Sequence, residues 1–453
     1  MVSAQEKEIA AYKAELRDEK YKAGVLPKIL QARLDVIKKY KPSDTIDTRN
    51  LLHTLDVALR HPNLVDVSLL STYMTELIRI MVNLGEGLDF AIYLDKGIQY
   101  YKSLGLSTVD LHLAKATYLG LLSIENPKRK EAIDAAMDCA QTPEDKIKCQ
   151  VALAHYFNDS SQYQLSIETC QKCQELMDEH QNLKKYHADI LIILGMNYFY
   201  LFDYPNAETY FQEALNAVDI QDGVVPKGTS LGAFGVSINV QTSLHYLGRI
   251  CATRGSLSGA LDYYVKGLLH SYKYEPEELG EIAFTHLRIG ELLTSVDLIH
   301  QAHDHLSESQ RLFAFMQNTS SPQVQIDLAF ADIYIKENND QKAEQTIRNA
   351  IYFSKSKGFP RGELLGFEKL FWFQFRRLRF HQAVYTLYQA LKTLRGGEME
   401  RQGGFRLLGF YFRQVPKKLL KLLQGSSHDV FIATDPREKI ESCICPMHLN
   451  NGK

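Results

Sequence analysis

The sequence predicts an all-α protein, a solenoid of antiparallel helix pairs. Three observations carry that expectation. First, Ala207, Ala260, Ala302, Ala343 and Ala383 stand 53, 42, 41 and 40 residues apart. Second, a local pattern travels with them. Leu194, Gly195 and Tyr198 precede Ala207, and Phe211, Ala214 and Leu215 follow it. Leu247, Gly248, Cys251, Tyr264, Gly267 and Leu268 repeat that frame around Ala260. Third, turn signals fall just before the alanines, at Phe202-Asp-Tyr-Pro205, Arg254-Gly-Ser256 and Glu337-Asn-Asn-Asp340. A fixed period of this size means units that bury their apolar faces only against their neighbours.

The elements follow in chain order. The stretch Leu26–Leu59 reads as a helix pair that lacks the frame and caps the array, giving an N-terminal cap over 1–61. Terminal units of a stacked array need an atypical, more polar outer face. The array itself is expected over 62–400. Ala91 is a weak match, because Arg79 and Asp95 occupy slots that are small or bulky elsewhere. Ala132 and Ser166 fit better, and the steps from Ala91 are 41, 34 and 41 residues, giving about eight units. Small residues such as Gly195, Ala207 and Ala214 belong where two helices cross closely. Thr142 before Pro143 and Ser321 before Pro322 suit helix N-caps. The 53-residue step holds an insertion near 220–238 with Gly223, Gly228, Gly232 and Gly235, either a lid or a passive excursion, the latter favoured. Residues 401–453 are expected to form a basic capping helix and a cysteine-containing tail. Pro416 opens that helix, burying Leu419, Leu420 and Leu423.

This pattern resembles the tetratricopeptide repeat over about 70% of the chain, most clearly at 188–221 and 241–274. The usual step is about 34 residues. The longer step here is similar to that of kinesin light chains, spindle-orientation adaptors and bacterial Rap-type peptide sensors. The resemblance implies a right-handed superhelix whose concave groove, lined by the first helix of each pair, binds an extended or helical peptide. Projecting the frame onto that groove gives His245 and Arg249, Arg288 and Glu291, Asp332 and Lys336, and Trp372 with Arg376 as the candidate peptide-binding residues. Taken singly, each suits a solvated, self-paired face as well. Ile193, Met196 and Tyr246 stand where a chaperone-tail clamp needs Lys and Asn, so that partner class is not expected.

Composition bounds the rest. The chain of 453 residues is 45% hydrophobic and 23% charged, which allows a sizeable core. No apolar run of about 18 residues predicts a membrane span. Met1–Lys22 is charged, so a cytoplasmic or nuclear rather than secreted protein is expected, and Asn158 and Asn318 match the glycosylation pattern by chance. Seven cysteines fit a reducing compartment. Cys170-Gln-Lys-Cys173 lies in packing slots of a repeat helix and reads as buried. Cys443, Cys445 and His448 are weak metal candidates, one ligand short of a closed zinc site unless His428 or a partner supplies it. The net charge of −2 divides into −10 over the first 375 residues, +9 over 376–421 and −1 over 422–453. That basic region, with Phe405–Leu423 amphipathic, could cap the last repeat, meet a membrane or partner groove, or grip nucleic acid beside Phe371, Trp372 and Phe375; capping is favoured. No phosphate loop, HExxH or nucleophile elbow occurs, so no enzyme, no cofactor and no small-molecule substrate are expected. The expected function is a scaffold or adaptor for a protein or peptide partner. The alternatives are a complex subunit docking through the basic region and a Rap-type regulator, for which Gln31 and the helix Leu26–Tyr40 would serve as the N-terminal bundle.

Overall fold

The computed structural model describes residues 19–39, 47–84, 90–122, 127–160, 162–217, 240–274, 279–315, 320–357 and 359–396. Among them are eighteen α-helices and no strand. They are α1 Glu19–Lys39, α2 Thr48–Arg60, α3 Val67–Leu84, α4 Phe90–Ser103, α5 Val109–Leu122, α6 Pro127–Cys139, α7 Pro143–Asp159, α8 Tyr163–Glu179, α9 His187–Tyr200, α10 Tyr204–Ala217, α11 Val240–Thr253, α12 Leu257–Tyr274, α13 Leu279–Ser295, α14 Ile299–Phe315, α15 Ser320–Lys336, α16 Asp340–Ser356, α17 Pro360–Arg376 and α18 Phe380–Gly396. The chain divides into two compact units, with the boundary inside α7 between Leu153 and Ala154.

In the first unit α1 lays a row of Leu26, Leu30, Leu34 and Ile37 against Leu70, Tyr73, Met74 and Leu77 of α3. The spacing of three and four keeps the row on one face. Tyr73, fully buried, donates its hydroxyl to the Leu51 carbonyl at 3.0 Å and so ties α3 to α2. The expected cap at Thr142 is present: its hydroxyl accepts from the Asp145 amide at 3.0 Å while Asp145 accepts from the Thr142 amide at 3.2 Å. At α15 the helix begins at Ser320, one residue before the expected cap.

The second unit is where the register becomes geometry. Ser166, Ala207, Ala260, Ala302, Ala343 and Ala383 are each the fourth residue of the second helix of their pair, and all are buried. In the first unit the frame slips: Ala132 is the sixth residue of α6, and Ala91 is the second of α4 and only partly buried. The glycines on the first helices show why these slots are small. A Cβ on Gly195 would lie 2.8 Å from the Phe211 ring, and one on Gly290 would lie 2.6 Å from Leu306 and 3.2 Å from the Ala302 carbonyl. The two helices of a pair therefore cross backbone to backbone, and a large residue placed four after the alanine fills the space over the glycine.

The turn within each pair is fixed as well. Phe202, Gly255, Asp297, Asn338 and Leu378 all adopt positive φ, between 59° and 87°, and each stands five residues before its alanine. The next amide reaches back to close the helix, as in Asp203 to the Tyr198 carbonyl at 2.9 Å and Arg379 to the Gln374 carbonyl at 2.9 Å. This is a Schellman stop, which favours glycine because a Cβ costs about 1–2 kcal/mol there. Only one of the five positions uses glycine. Leu378 is 73% exposed and loses no core contact on removal. Leu378→Gly is expected to raise stability by about 1 kcal/mol, read as a higher urea midpoint with an unchanged slope.

Candidate functional site

Along the first helices α11, α13, α15 and α17, slots spaced by three and four turn to one face. That face carries Tyr246, Arg249 and Thr253, then Arg288, Glu291 and Ser295, then Ala329, Asp332 and Lys336, then Lys369, Trp372 and Arg376. The row is knitted from pair to pair. Arg288 donates Nη1 to Glu291 Oε2 at 2.7 Å and Nη2 to Gln325 Oε1 of α15 at 2.6 Å. Lys369 of α17 pairs with Asp332 of α15. Lys336 reaches Asp297, in the turn after α13, at 2.7 Å. The Tyr200 and Tyr246 hydroxyls meet at 3.1 Å and join α9 to α11. Lys336–Asp297 is exposed and the other two ion pairs are half-buried; an exposed pair contributes about 0–1 kcal/mol.

The expected residues divide by environment. Arg249 is half-buried, its guanidinium carbon 4.5 Å from the Phe199 ring centroid, 5.0 Å from Tyr246 and 5.8 Å from Tyr200. Arg376 is exposed. Trp372 is buried, edge-on to Phe371 at 5.2 Å and to Phe375 at 5.8 Å. His245 stands one slot off the row and is buried beside Tyr264, with ring centroids 5.9 Å apart and Nδ1 without a hydrogen-bond partner. Burial first, then the Arg249 and Arg288 charges, hold its pKa well below the usual histidine value, so the ring is neutral. Burial of Lys369 opposes its charge, but Asp332 outweighs it and raises the ammonium pKa. Lys369 and Gln325 were not among the expected residues. The signal for Lys369 was available, since it lies as far before Ala383 as Arg288 lies before Ala302.

Other candidates resolve differently. Burial pushes the Cys173 thiol up to about 12 and raises Cys170 well above the ordinary thiol range. A thiol reagent at pH 8 is therefore expected to leave both untouched in the folded chain and to modify both once urea unfolds it. Gln31 lies on α1, bonded to Asp35 at 2.9 Å. Among the described residues no group of three or more His, Cys, Asp or Glu could hold a metal ion, and no helix is long and apolar enough to cross a membrane. The insertion near 220–238, the segment Phe405–Leu423 and Cys443, Cys445 and His448 lie outside the described residues. The last described helix, α18, leaves Phe380, Val384, Tyr388 and Leu391 exposed at helical spacing.

No family model and no curated protein matches the sequence. Solved structures do match. A Rap protein complexed with competence and sporulation factor aligns with a TM-score of 0.52 at 9% identity, covering 82% of this chain and 97% of that one. Aspartyl phosphate phosphatase F from Bacillus subtilis gives 0.48 at 12% identity, over 83% and 94% of the two chains. A signal transduction ATPase with a tetratricopeptide repeat sensor from Pyrococcus horikoshii gives 0.43 at 14% identity, over 88% and 54%. At these identities the likeness is one of fold alone. The chain is an all-helical solenoid of adjacent helix pairs with the fold of tetratricopeptide-type repeat proteins.

Proposed function

We propose that this protein is a non-enzymatic scaffold that holds an extended segment of a partner protein along the first-helix face of its second unit, as part of a complex. The observation that carries the reading is the ladder itself. Four successive first helices present charged and polar side chains on one face, in slots that a stability-driven core would fill with leucine. Half-buried polar groups at fixed spacing recognise a peptide by register, whereas area alone gives no specificity. A photo-crosslinking residue placed at Gln325 is expected to capture the partner, while one at Tyr352, 76% exposed on α16, captures none. Capture from Tyr352 alone contradicts the reading.

A second reading rests on the long-step array with its insertion: binding of a short peptide changes the pitch of the repeat and so controls another protein. Small-angle scattering decides it, since an unchanged radius of gyration with peptide bound rules it out. For the C-terminal region we propose that 401–453 begins with a helix that covers the exposed stripe of α18. The stripe needs an apolar cover, and Leu419, Leu420 and Leu423 supply one within reach of the chain that follows Gly396. Replacing those three leucines with serine is expected to lower the melting temperature and produce self-association at high concentration, measured by light scattering. An unchanged melting curve contradicts the cap.

A further inference from the structure

The charges along the row are not equally matched. Arg288 has Glu291, Lys369 has Asp332 and Lys336 has Asp297. Arg376 is exposed and solvated. Arg249 alone is a half-buried cation on this face with no carboxylate partner among the described residues. Phe199, Tyr200 and Tyr246 cover its guanidinium, and the Tyr200 hydroxyl takes one hydrogen bond. Each such ring contact stabilises a cation by about 0.5–2 kcal/mol, but rings offer no acceptor in the guanidinium plane. The remaining N–H groups keep the fork that matches a carboxylate with two parallel bonds. The cage is rigid. Tyr246 stacks on Phe211 at 5.0 Å and Tyr200 stacks on Tyr163 at 5.5 Å. A group held this firmly, and desolvated without an anion, is prepared for one that arrives.

We propose that Arg249 is the anchor for a single carboxylate carried by the partner segment, an acidic side chain or a chain-terminal carboxylate. This rests on the groove reading and names its charge. A polyanion is a poor fit, because Glu291 and Asp332 follow on the same face and the first 375 residues sum to −10. One carboxylate near Arg249, followed by polar or basic residues, matches that order of charges.

The test uses the immobilised full chain and a pool of random synthetic peptides with free C-termini. The best-retained peptide is remade with its acidic side chains as amides, and separately with an amidated C-terminus. One of these changes is expected to weaken binding to the wild-type chain about tenfold or more and to have no further effect on Arg249→Gln. Which change does so identifies the source of the carboxylate. The peptide-side change cannot act through folding of the protein; if Arg249→Gln does not fold, Arg249→Lys, which lacks the fork, closes the same cycle. A peptide that crosslinks at position 325 yet ignores both amide changes overturns the anchor and leaves the groove reading standing. A pool from which nothing is retained contradicts both.

Discussion

Phe211→Ala is expected to lower the unfolding free energy of the second unit by about 3–5 kcal/mol, the range for deleting a fully buried aromatic ring. Phe211 is 0% exposed and fills the slot four residues after Ala207. Its ring meets Gly195 on one side, where a Cβ would come within 2.8 Å, and stacks on Tyr246 at 5.0 Å on the other. The ring thus holds one pair closed and joins it to the next. Urea unfolding followed by far-ultraviolet circular dichroism measures the loss. The companion change Gly195→Ala is expected to destabilise alone and to recover in part when combined with Phe211→Leu, because the two substitutions share one space. If the double variant is no better than the sum of the singles, the close crossing at Gly195 is not what fixes the register. Because Tyr246 forms part of the Arg249 cage, Phe211→Ala is also expected to weaken any ligand bound there.

The second large effect is on acid stability. His245 is buried, and its folded pKa is held well below the ordinary value of 6.5. Unfolding releases the ring to water, where it takes a proton below about 6.5. The unfolded state then binds more protons than the folded one, so stability rises with pH. The contribution is complete above about pH 6.5 and falls by about 1.4 kcal/mol per pH unit below it, until the folded ring protonates. His112 and His270 shift in the same direction, by burial first, and steepen the loss. Unfolding free energies measured between pH 7.5 and 5 are expected to fall with acid, and His245→Asn to flatten the slope by one proton. A slope that His245→Asn leaves unchanged contradicts the neutral buried ring.

Much of the fold was legible because it is written as a period. Alanine recurs where helices cross, and every residue counted from it inherits a role: the positive-φ stop five before, the bulky filler four after, the polar row before it. The period weakens before Ser166 because the first unit packs otherwise. There α1 lies on α3, a contact between helices far apart in sequence that no local spacing announces. The stop residues were only partly legible, since Phe202 and Leu378 carry side chains that propensity would steer away from positive φ. For the functional face, spacing named the helix side but not the neighbour. It grouped His245 with Arg249, although one residue of rotation puts His245 under Tyr264 and leaves Arg249 among three rings. It also missed Lys369 as the partner of Asp332, because pairing across repeat units depends on how the pairs stack.

The most direct measurement of the central claim is hydrogen exchange on the full chain with and without a peptide that it retains. The scaffold account predicts added protection in the first helices α11, α13, α15 and α17 and little change in their second helices α12, α14, α16 and α18. Protection confined to the second helices, or to α1–α4 of the first unit, would contradict it.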